Sequence, residues 1–210
     1  MKSAVREPTT VQAASSSPPQ IVSVSLMLGE LQARKASYYF DLIDEDGNGL
    51  IEVSDFALRA QRLAESQSLT GEDEREALRQ EVLAWWDHIC AIADFDGDAR
   101  VSLPEWKAYW RSLQRGAEQG ELETLQTLER AARGTLRAID RDGTGRVTEA
   151  EYSDWLSAWG ATGSAEAFQQ LDRGGKGFLT EADLIVAVQE FYLSDDPAAP
   201  GNALYGPLPD

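Results

Sequence analysis

An all-α fold of four helix–loop–helix units, packed as two pairs into one globule, is predicted by three features of the sequence. A short pattern of acidic residues and glycine recurs four times, beginning at Asp44, Asp94, Asp140 and Asp172. Apolar residues recur at fixed places before and after each copy, as on helices that enter and leave a loop. A chain of 210 residues, 42% of them hydrophobic, is long enough to bury a shared core.

The first copy, loop 1 (residues 44–55), places oxygen-bearing side chains at positions 1, 3, 5, 9 and 12 of a twelve-residue loop. This is the ligand spacing of an EF-hand, because Ca²⁺ takes about six to eight oxygens and a tight loop aims alternate side chains inward. Gly49 at position 6 permits a bend that needs a positive φ. With the backbone carbonyl at position 7, the predicted ligands are Asp44, Asp46, Asn48, Leu50 and Asp55.

Loop 2 (residues 94–105) and loop 3 (residues 140–151) each depart from the full pattern at one position. Loop 2 has Ala99 in place of the position-6 glycine, and we expect the left-handed turn to cost on the order of 1 kcal/mol and to weaken binding. Loop 3 offers the neutral Thr144 hydroxyl at position 5, and a neutral oxygen still coordinates. The predicted ligands are Asp94, Asp96, Asp98, Arg100 and Glu105 in loop 2, and Asp140, Asp142, Thr144, Arg146 and Glu151 in loop 3.

The fourth copy, loop 4 (residues 172–183), has Gly174 and Lys176 at positions where ligands belong. Because an ammonium group opposes a divalent cation, we predict that loop 4 binds no metal. We expect it to survive as a structural partner that braces loop 3. Short β-bridges that pair loop 1 with loop 2 and loop 3 with loop 4 are predicted from the apolar residues at position 8, which are Ile51, Val101, Val147 and Leu179.

The metal preference of the loops is expected to differ at position 12. Asp55 in loop 1 is shorter than the glutamates of loops 2 and 3, so it gives one oxygen where they give two. Loop 1 should therefore favour six-coordination and tolerate Mg²⁺ better. We expect about three bound Ca²⁺ ions, with Mg²⁺ as a competitor in loop 1.

The predicted organisation has four segments. A tail rich in serine, threonine and proline comes first and is expected to be disordered. Two EF-hand pairs follow, and a C-terminal tail is expected to pack on the core. The segments are residues 1–22 for the tail, 23–115 for pair 1, 116–194 for pair 2 and 195–210 for the C-terminal tail.

Charge and composition exclude several function classes. The 36 acidic residues against 19 basic ones give a net charge of −17, which repels nucleic-acid phosphates and anionic membrane surfaces. No apolar run approaches the roughly 18 residues of a membrane span. There is no nucleophile elbow, phosphate-binding glycine loop or cysteine–histidine set, so we do not expect an enzyme. Nothing in the sequence indicates a protein partner, and we expect a monomer.

The cellular compartment follows from two observations. The single cysteine, Cys90, cannot form an internal disulfide. The basic residues Lys2 and Arg6 are not followed by the apolar stretch of a signal peptide. We therefore expect a cytoplasmic protein.

Four loops, their unequal spacing and the aromatic-rich chain resemble the sarcoplasmic calcium-binding proteins and their prokaryotic relatives, the calerythrins, over about residues 23 to 208. The resemblance implies a compact all-α calcium buffer or signal modulator with three active loops and one silent loop. Residues 194–207 are similar to the tails of that family, which fold back onto the body. Leu204 and Tyr205 would be the buried anchors of this tail.

Two alternatives to a buffer stay open. Calcium sensors expose a flexible, Met-rich apolar groove to a protein partner, whereas this chain has two Met against six Trp, six Tyr and six Phe. The same resemblance reaches photoproteins and luciferin-binding proteins, in which histidines beside tryptophan and tyrosine surround a small apolar ligand. The one histidine here, His88, lies next to Trp85 and Trp86 and could line such a cavity.

Overall fold

The computed structural model describes residues 28–66 and 69–209, so the tail predicted for residues 1–22 lies outside the described part. None of the helices described there combines the length and the apolar character that crossing a membrane requires. The helices are α1 (Glu30–Ile43), α2 (Val53–Ser66), α3 (Glu72–Ala93), α4 (Leu103–Glu118), α5 (Leu122–Ile139), α6 (Glu149–Ala158), α7 (Ser164–Leu171), α8 (Glu181–Leu193) and a 3₁₀ helix (Pro200–Ala203).

Short antiparallel strands join the loops in two pairs. The position-8 residues face each other: Ile51 opposite Val101, and Val147 opposite Leu179, and all four side chains are fully buried. The predicted all-α class with β-bridges between paired loops is therefore confirmed. The strands are β1 (Leu50–Ile51), β2 (Val101–Ser102), β3 (Arg146–Thr148) and β4 (Phe178–Thr180).

Three of the helices that leave the loops, α4, α6 and α8, begin with capping boxes inside the loops. At α6 the Thr148 side chain accepts a hydrogen bond from the backbone N–H of Glu151, while the Glu151 carboxylate accepts one from the backbone N–H of Thr148. Thr180 and Asp183 repeat this exchange at α8. A capping box satisfies N–H groups that have no partner within the helix. The start of each of these three helices therefore fixes the side chain at position 12 of the loop.

An aromatic cluster joins the two halves of the molecule. The ring of Tyr39 on α1 stacks on Tyr205, with 4.1 Å between the ring centroids, and meets Phe191 of α8 edge-on at 5.9 Å. Trp159, at the end of α6, contacts Tyr39 at 5.8 Å and Trp85 of α3 at 5.3 Å. Aromatic pairs at these separations add to the free energy gained by burial. Helices of both predicted EF-hand pairs thus share one core.

The chain after α8 runs back over this core. Leu204 and Tyr205 are buried, and the Tyr38 hydroxyl donates a 2.7 Å hydrogen bond to the backbone carbonyl of Tyr205. Gly201 allows the close approach, because a Cβ there would lie 2.5 Å from the carbonyl oxygen of Ala187. The C-terminal segment is therefore part of the packed body.

A buried lysine of α1 caps the C-terminus of α8. Lys35 is fully buried, and its Nζ donates hydrogen bonds to the backbone carbonyls of Ser194 at 2.7 Å and Glu190 at 3.1 Å. Desolvation lowers the pKa of Lys35 to about 8, although the negative charges of Asp195 and Glu190 oppose this shift. The carbonyls at the end of a helix carry partial negative charge, so they offset part of the cost of burying this cation.

The pH dependence of stability should report this buried lysine. Its pKa is about 8 in the folded protein against 10.5 for a free lysine, so the unfolded chain binds more protons between these values. Stability then rises with pH, and we expect the free energy of unfolding of the Ca²⁺-saturated protein to increase from about pH 7.5 to about pH 9. Urea denaturation of the wild type and of Lys35→Met measures this, and the rise should be lost in the variant.

The matched control is Lys107→Met, which removes the same charge from α4 and should keep the rise. An equal pH dependence in wild type and Lys35→Met would contradict the role of the buried ammonium group.

Candidate metal centre

The aspartate at position 1 closes each loop by accepting backbone N–H groups from the turn. In loop 1, Asp44 accepts hydrogen bonds from the N–H groups of Asn48 at 3.1 Å and Gly49 at 2.8 Å. Comparable pairs of bonds from the turn backbone occur at the other three aspartates, Asp94, Asp140 and Asp172. All four loops therefore share one backbone frame.

Side-chain carboxylates converge in three of these frames. In each, three residues offer one oxygen apiece, and these oxygens lie within 4.8 Å of one another. Carboxylate oxygens are the ligands that Ca²⁺ and Mg²⁺ prefer, so each group could hold such an ion. The groups are Asp44, Asp46 and Asp55 in loop 1, Asp94, Asp96 and Asp98 in loop 2, and Asp140, Asp142 and Glu151 in loop 3.

The predicted ligands at positions 5 and 7 lie side by side in the same loops. In loop 3 the Thr144 hydroxyl donates to the Arg146 carbonyl at 3.3 Å, which brings the two predicted oxygens together. In the other two loops the backbone N–H at position 7 donates to the position-5 side chain: Leu50 to Asn48 at 2.8 Å, and Arg100 to Asp98 at 2.9 Å.

Loop 2 has an alanine in a left-handed backbone conformation at position 6, as the sequence predicts. Ala99 has a φ of +63°, and it is the one residue other than glycine with a positive φ in the described ranges. Gly145 holds the equivalent place in loop 3 with a φ of +74°. A side chain makes this left-handed conformation costly, so Ala99 stores backbone strain at the loop.

The position-12 carboxylate of loop 2 is held by the start of α4. Glu105 accepts hydrogen bonds from the Ser102 hydroxyl at 2.6 Å, the Ser102 N–H at 2.9 Å and the Phe95 N–H at 3.1 Å. The bonds from Ser102 lower the pKa of Glu105. Glu105 is thus kept ionised at the edge of the loop, and it is not in the converging group of Asp94, Asp96 and Asp98.

Asp55, at position 12 of loop 1, is fully buried. Its Oδ1 accepts hydrogen bonds from the N–H groups of Glu45 at 2.9 Å and Asp46 at 3.3 Å, and its Oδ2 accepts one from Glu52 at 2.7 Å. Burial raises the pKa of Asp55, and these three bonds oppose the shift. Both oxygens of Asp55 accept backbone N–H groups, as those of Glu105 and Glu151 do, so the shorter side chain is what distinguishes Asp55.

Hydrogen bonds keep other carboxylates of the groups ionised. The Thr144 hydroxyl and N–H lower the pKa of Asp142. Desolvation raises the pKa of Asp94, but the N–H groups of Gly97 and Ala99 more than offset it, so this pKa is below its usual value. Loops 2 and 3 therefore present negative charge at neutral pH, which suits a divalent cation.

One buried ion pair beside loop 1 was not predicted from the sequence. Arg59 of α2 donates to the carboxylate of Glu45, position 2 of the loop, at 2.7 Å, and both side chains are buried. The Arg59 guanidinium also lies over the Trp159 ring, 4.1 Å from its centroid. Position 59 falls one helical turn after the buried Phe56, and this spacing was the available signal. The pair connects loop 1 to the second half of the chain.

Loop 4 contains a cation of its own. The Lys176 Nζ at position 5 lies 2.5 Å from Oδ2 of Asp183 at position 12. Gly174 supplies no side chain at position 3. Within residues 28–66 and 69–209, the converging acidic groups occur in loops 1, 2 and 3.

The sequence is similar to two characterised proteins. Calerythrin of Saccharopolyspora erythraea is 31% identical over 156 residues, which cover 73% of this chain and 87% of calerythrin. A luciferin-binding protein of Renilla reniformis is 28% identical over 181 residues, covering 83% of this chain and 93% of that protein. No protein-family model matches the chain.

The fold matches solved structures. A calcium-binding protein of Streptomyces coelicolor, 27% identical, aligns with a TM-score of 0.59 over 79% of this chain and 99% of its own. A sarcoplasmic calcium-binding protein from amphioxus, 19% identical, aligns with a TM-score of 0.65 over 87% of this chain and 100% of its own. With the loop geometry, these matches confirm the expected relationship to calerythrin. The chain belongs to the calerythrin-like family of calcium-binding EF-hand proteins.

Proposed function

We propose that the protein is a monomeric cytoplasmic Ca²⁺ buffer or signal modulator that binds metal in loops 1, 2 and 3 and leaves loop 4 without metal. The observation that carries this proposal is the convergence of three carboxylates in each of those three loops. The ligands would be the predicted residues at positions 1, 3, 5, 7 and 12. A single cysteine, Cys90, fits a reducing compartment.

The proposed mechanism is electrostatic. Without metal, each loop holds carboxylates of like charge within 4.8 Å of one another, in a chain of net charge −17. Bound divalent cations would replace this repulsion with attraction, and any ligand that binds the folded state alone stabilises it. Ca²⁺ binding should therefore be coupled to ordering of the loops and of the helices that they join.

The aromatic core supports a buffer over a partner-binding sensor. Sensors of the calmodulin type open to expose an adaptable, Met-rich groove. This chain has two methionines in all, and aromatic rings fill the space between the halves. Trp110 and Tyr192, for example, lie 4.7 Å apart between centroids. Opening the molecule would separate such rings, which is costly.

A second candidate is a protein that binds a small apolar ligand, as the luciferin-binding relative from Renilla is named for. The ring contacts argue against a roomy internal cavity, since Tyr205 packs on Tyr39, Trp155 and Trp159 at 4.1 to 5.6 Å between centroids. His88, which could have lined a cavity, is exposed. The ligand-binding function is therefore supported by sequence similarity to the Renilla protein and not by a cavity.

Calorimetric titration of the chelator-stripped protein with Ca²⁺ tests the buffer. We expect about three sites, with a heat large enough to signal coupled ordering, and a weaker apparent affinity for at least one site in millimolar Mg²⁺.

Two further readouts separate the alternatives. A fluorescent apolar dye that binds more strongly after Ca²⁺ addition would favour the sensor. Saturable, tight binding of coelenterazine would favour the ligand-binding protein. Fewer sites, or weak sites with little heat, would contradict the buffer.

The length of the position-12 side chain should set the metal preference of loop 1. Asp55→Glu adds a methylene and can offer the metal a second oxygen. We therefore expect the ratio of Ca²⁺ affinity to Mg²⁺ affinity at loop 1 to rise by on the order of tenfold in competition titrations. The matched control is Glu151→Asp in loop 3, which should shift that loop toward Mg²⁺. An unchanged Mg²⁺ competition curve for Asp55→Glu would exclude this explanation.

The strain at position 6 should weaken loop 2. Ala99→Gly removes a Cβ from a residue at a φ of +63°, and relief of about 1 kcal/mol corresponds to roughly fivefold tighter Ca²⁺ binding at this loop. Gly145→Ala is the reverse change in loop 3, where an added Cβ would meet no atom within 4 Å, so it tests backbone strain alone. It should weaken loop 3 by a similar factor. Equal affinities in either pair would contradict this effect of position 6 on Ca²⁺ binding.

A further inference from the structure

Loop 4 is closed across its centre by a side chain. The Lys176 ammonium at position 5 contacts the Asp183 carboxylate at position 12, with 2.5 Å between Nζ and Oδ2. The same oxygen accepts hydrogen bonds from the Thr180 N–H at 2.7 Å and the Thr180 hydroxyl at 2.6 Å. In loops 1 to 3, positions 5 and 12 would be joined by the proposed metal ion. In loop 4 a cation of the chain itself makes that connection.

The rest of the loop 4 frame is complete. Asp172 accepts hydrogen bonds from the N–H groups of Lys176 at 3.0 Å and Gly177 at 2.7 Å. Gly177, at position 6, has the left-handed φ of +79° that this turn requires. Loop 4 thus combines a closed backbone with an internal positive charge opposite position 12.

Loop 4 contacts loop 3 through one aromatic ring as well as through the strands. The Phe178 ring of β4 lies 5.6 Å from Lys176 Nζ and 4.5 Å from Cζ of Arg146, measured to the ring centroid. Arg146 is the position-7 residue of loop 3, whose carbonyl is a proposed ligand. Beside this contact, Val147 pairs with Leu179 in the core. A change in the order of loop 4 would therefore reach the backbone that faces the loop 3 metal.

We propose that the Lys176 ammonium takes the place of a metal ion in loop 4, and that it keeps loop 4 and the β3–β4 pair ordered when Ca²⁺ is absent. Loop 3 then binds Ca²⁺ as a preorganised single site. Its partner loop is already ordered, so Ca²⁺ binding does not have to supply the free energy of ordering it. Loops 1 and 2 have no such internal cation at position 5, so their order depends on metal. The part that concerns loop 3 affinity rests on the proposed Ca²⁺ site there.

The effect of Lys176 on affinity has a diagnostic sign. Loss of one positive charge near loop 3 would, by electrostatics alone, strengthen Ca²⁺ binding. Loss of preorganisation would weaken it. A neutral substitution that weakens binding therefore cannot be explained by charge.

The experiment compares full-length wild type, Lys176→Met and Lys176→Arg, where arginine keeps the charge. Hydrogen exchange in excess chelator measures the order of the β3–β4 amides, and the β1–β2 amides serve as an internal reference. We expect the β3–β4 amides of Lys176→Met to exchange at least about tenfold faster than those of wild type. Lys176→Arg should stay close to wild type, and the β1–β2 amides should be alike in all three proteins.

The amide resonance of Gly145, at position 6, then reports Ca²⁺ binding to loop 3 in the same proteins. We expect Lys176→Met to need about threefold to tenfold more Ca²⁺ for half-saturation, a range that suits a partly exposed ion pair with a structural role. Lys176→Arg should bind as wild type does.

Unchanged β3–β4 exchange in Lys176→Met would overturn the proposal, and so would an affinity of loop 3 that is equal or higher. If the Gly145 resonance of the wild type does not respond to Ca²⁺, the proposed loop 3 site is wrong instead. The exchange measurement in chelator still decides the role of Lys176 in that case.

Discussion

The hydrogen bonds of the position-1 aspartates are the interaction on which the loops depend. Asp44 ends α1, since its N–H donates to the Phe40 carbonyl, and its carboxylate then accepts two N–H groups of the following turn. One residue thus ends a helix, closes the loop and offers oxygen to a cation. Asp172 makes the same bonds in loop 4, which has no carboxylate cage. The backbone of the loop therefore forms without the converging carboxylates, which are an addition to it in loops 1 to 3.

Electrostatic repulsion among the converging carboxylates destabilises the folded protein, and burial of apolar residues offsets this destabilisation. Like charges are held close in loops 1 to 3, while the position-8 residues behind them and the aromatic cluster between the halves are buried and apolar. The buried pair of Arg59 and Glu45 adds a link from loop 1 to Trp159. The core is continuous from α1 to Tyr205, so the two halves of the molecule share one packed interior.

Sequence was sufficient for the features whose causes are local. Ligand spacing, the turn residue at position 6 and the apolar residue at position 8 lie within twelve residues, so the loops, their pairing and the strained Ala99 could be predicted. Contacts between distant residues could not be predicted in the same way. Lys35 reaches carbonyls more than 150 residues away, and Arg59 meets a ring a hundred residues later. Such partners depend on how the helices pack, which no local pattern specifies.

The contacts of the Glu105 carboxylate also could not be predicted from the spacing of the loop residues. Its place at position 12 predicts a ligand, yet the same carboxylate is the partner of Ser102 in the capping box of α4. Helix capping does not by itself remove a position-12 carboxylate from the metal site, because Glu151 caps α6 and also lies in the converging group of loop 3. In loop 4 the competitor for position 12 is Lys176, a cation that belongs to the chain. The helix-capping contact at position 12 is therefore common to loops 2, 3 and 4, and these loops differ in the side chain at position 5, which is Asp98, Thr144 or Lys176.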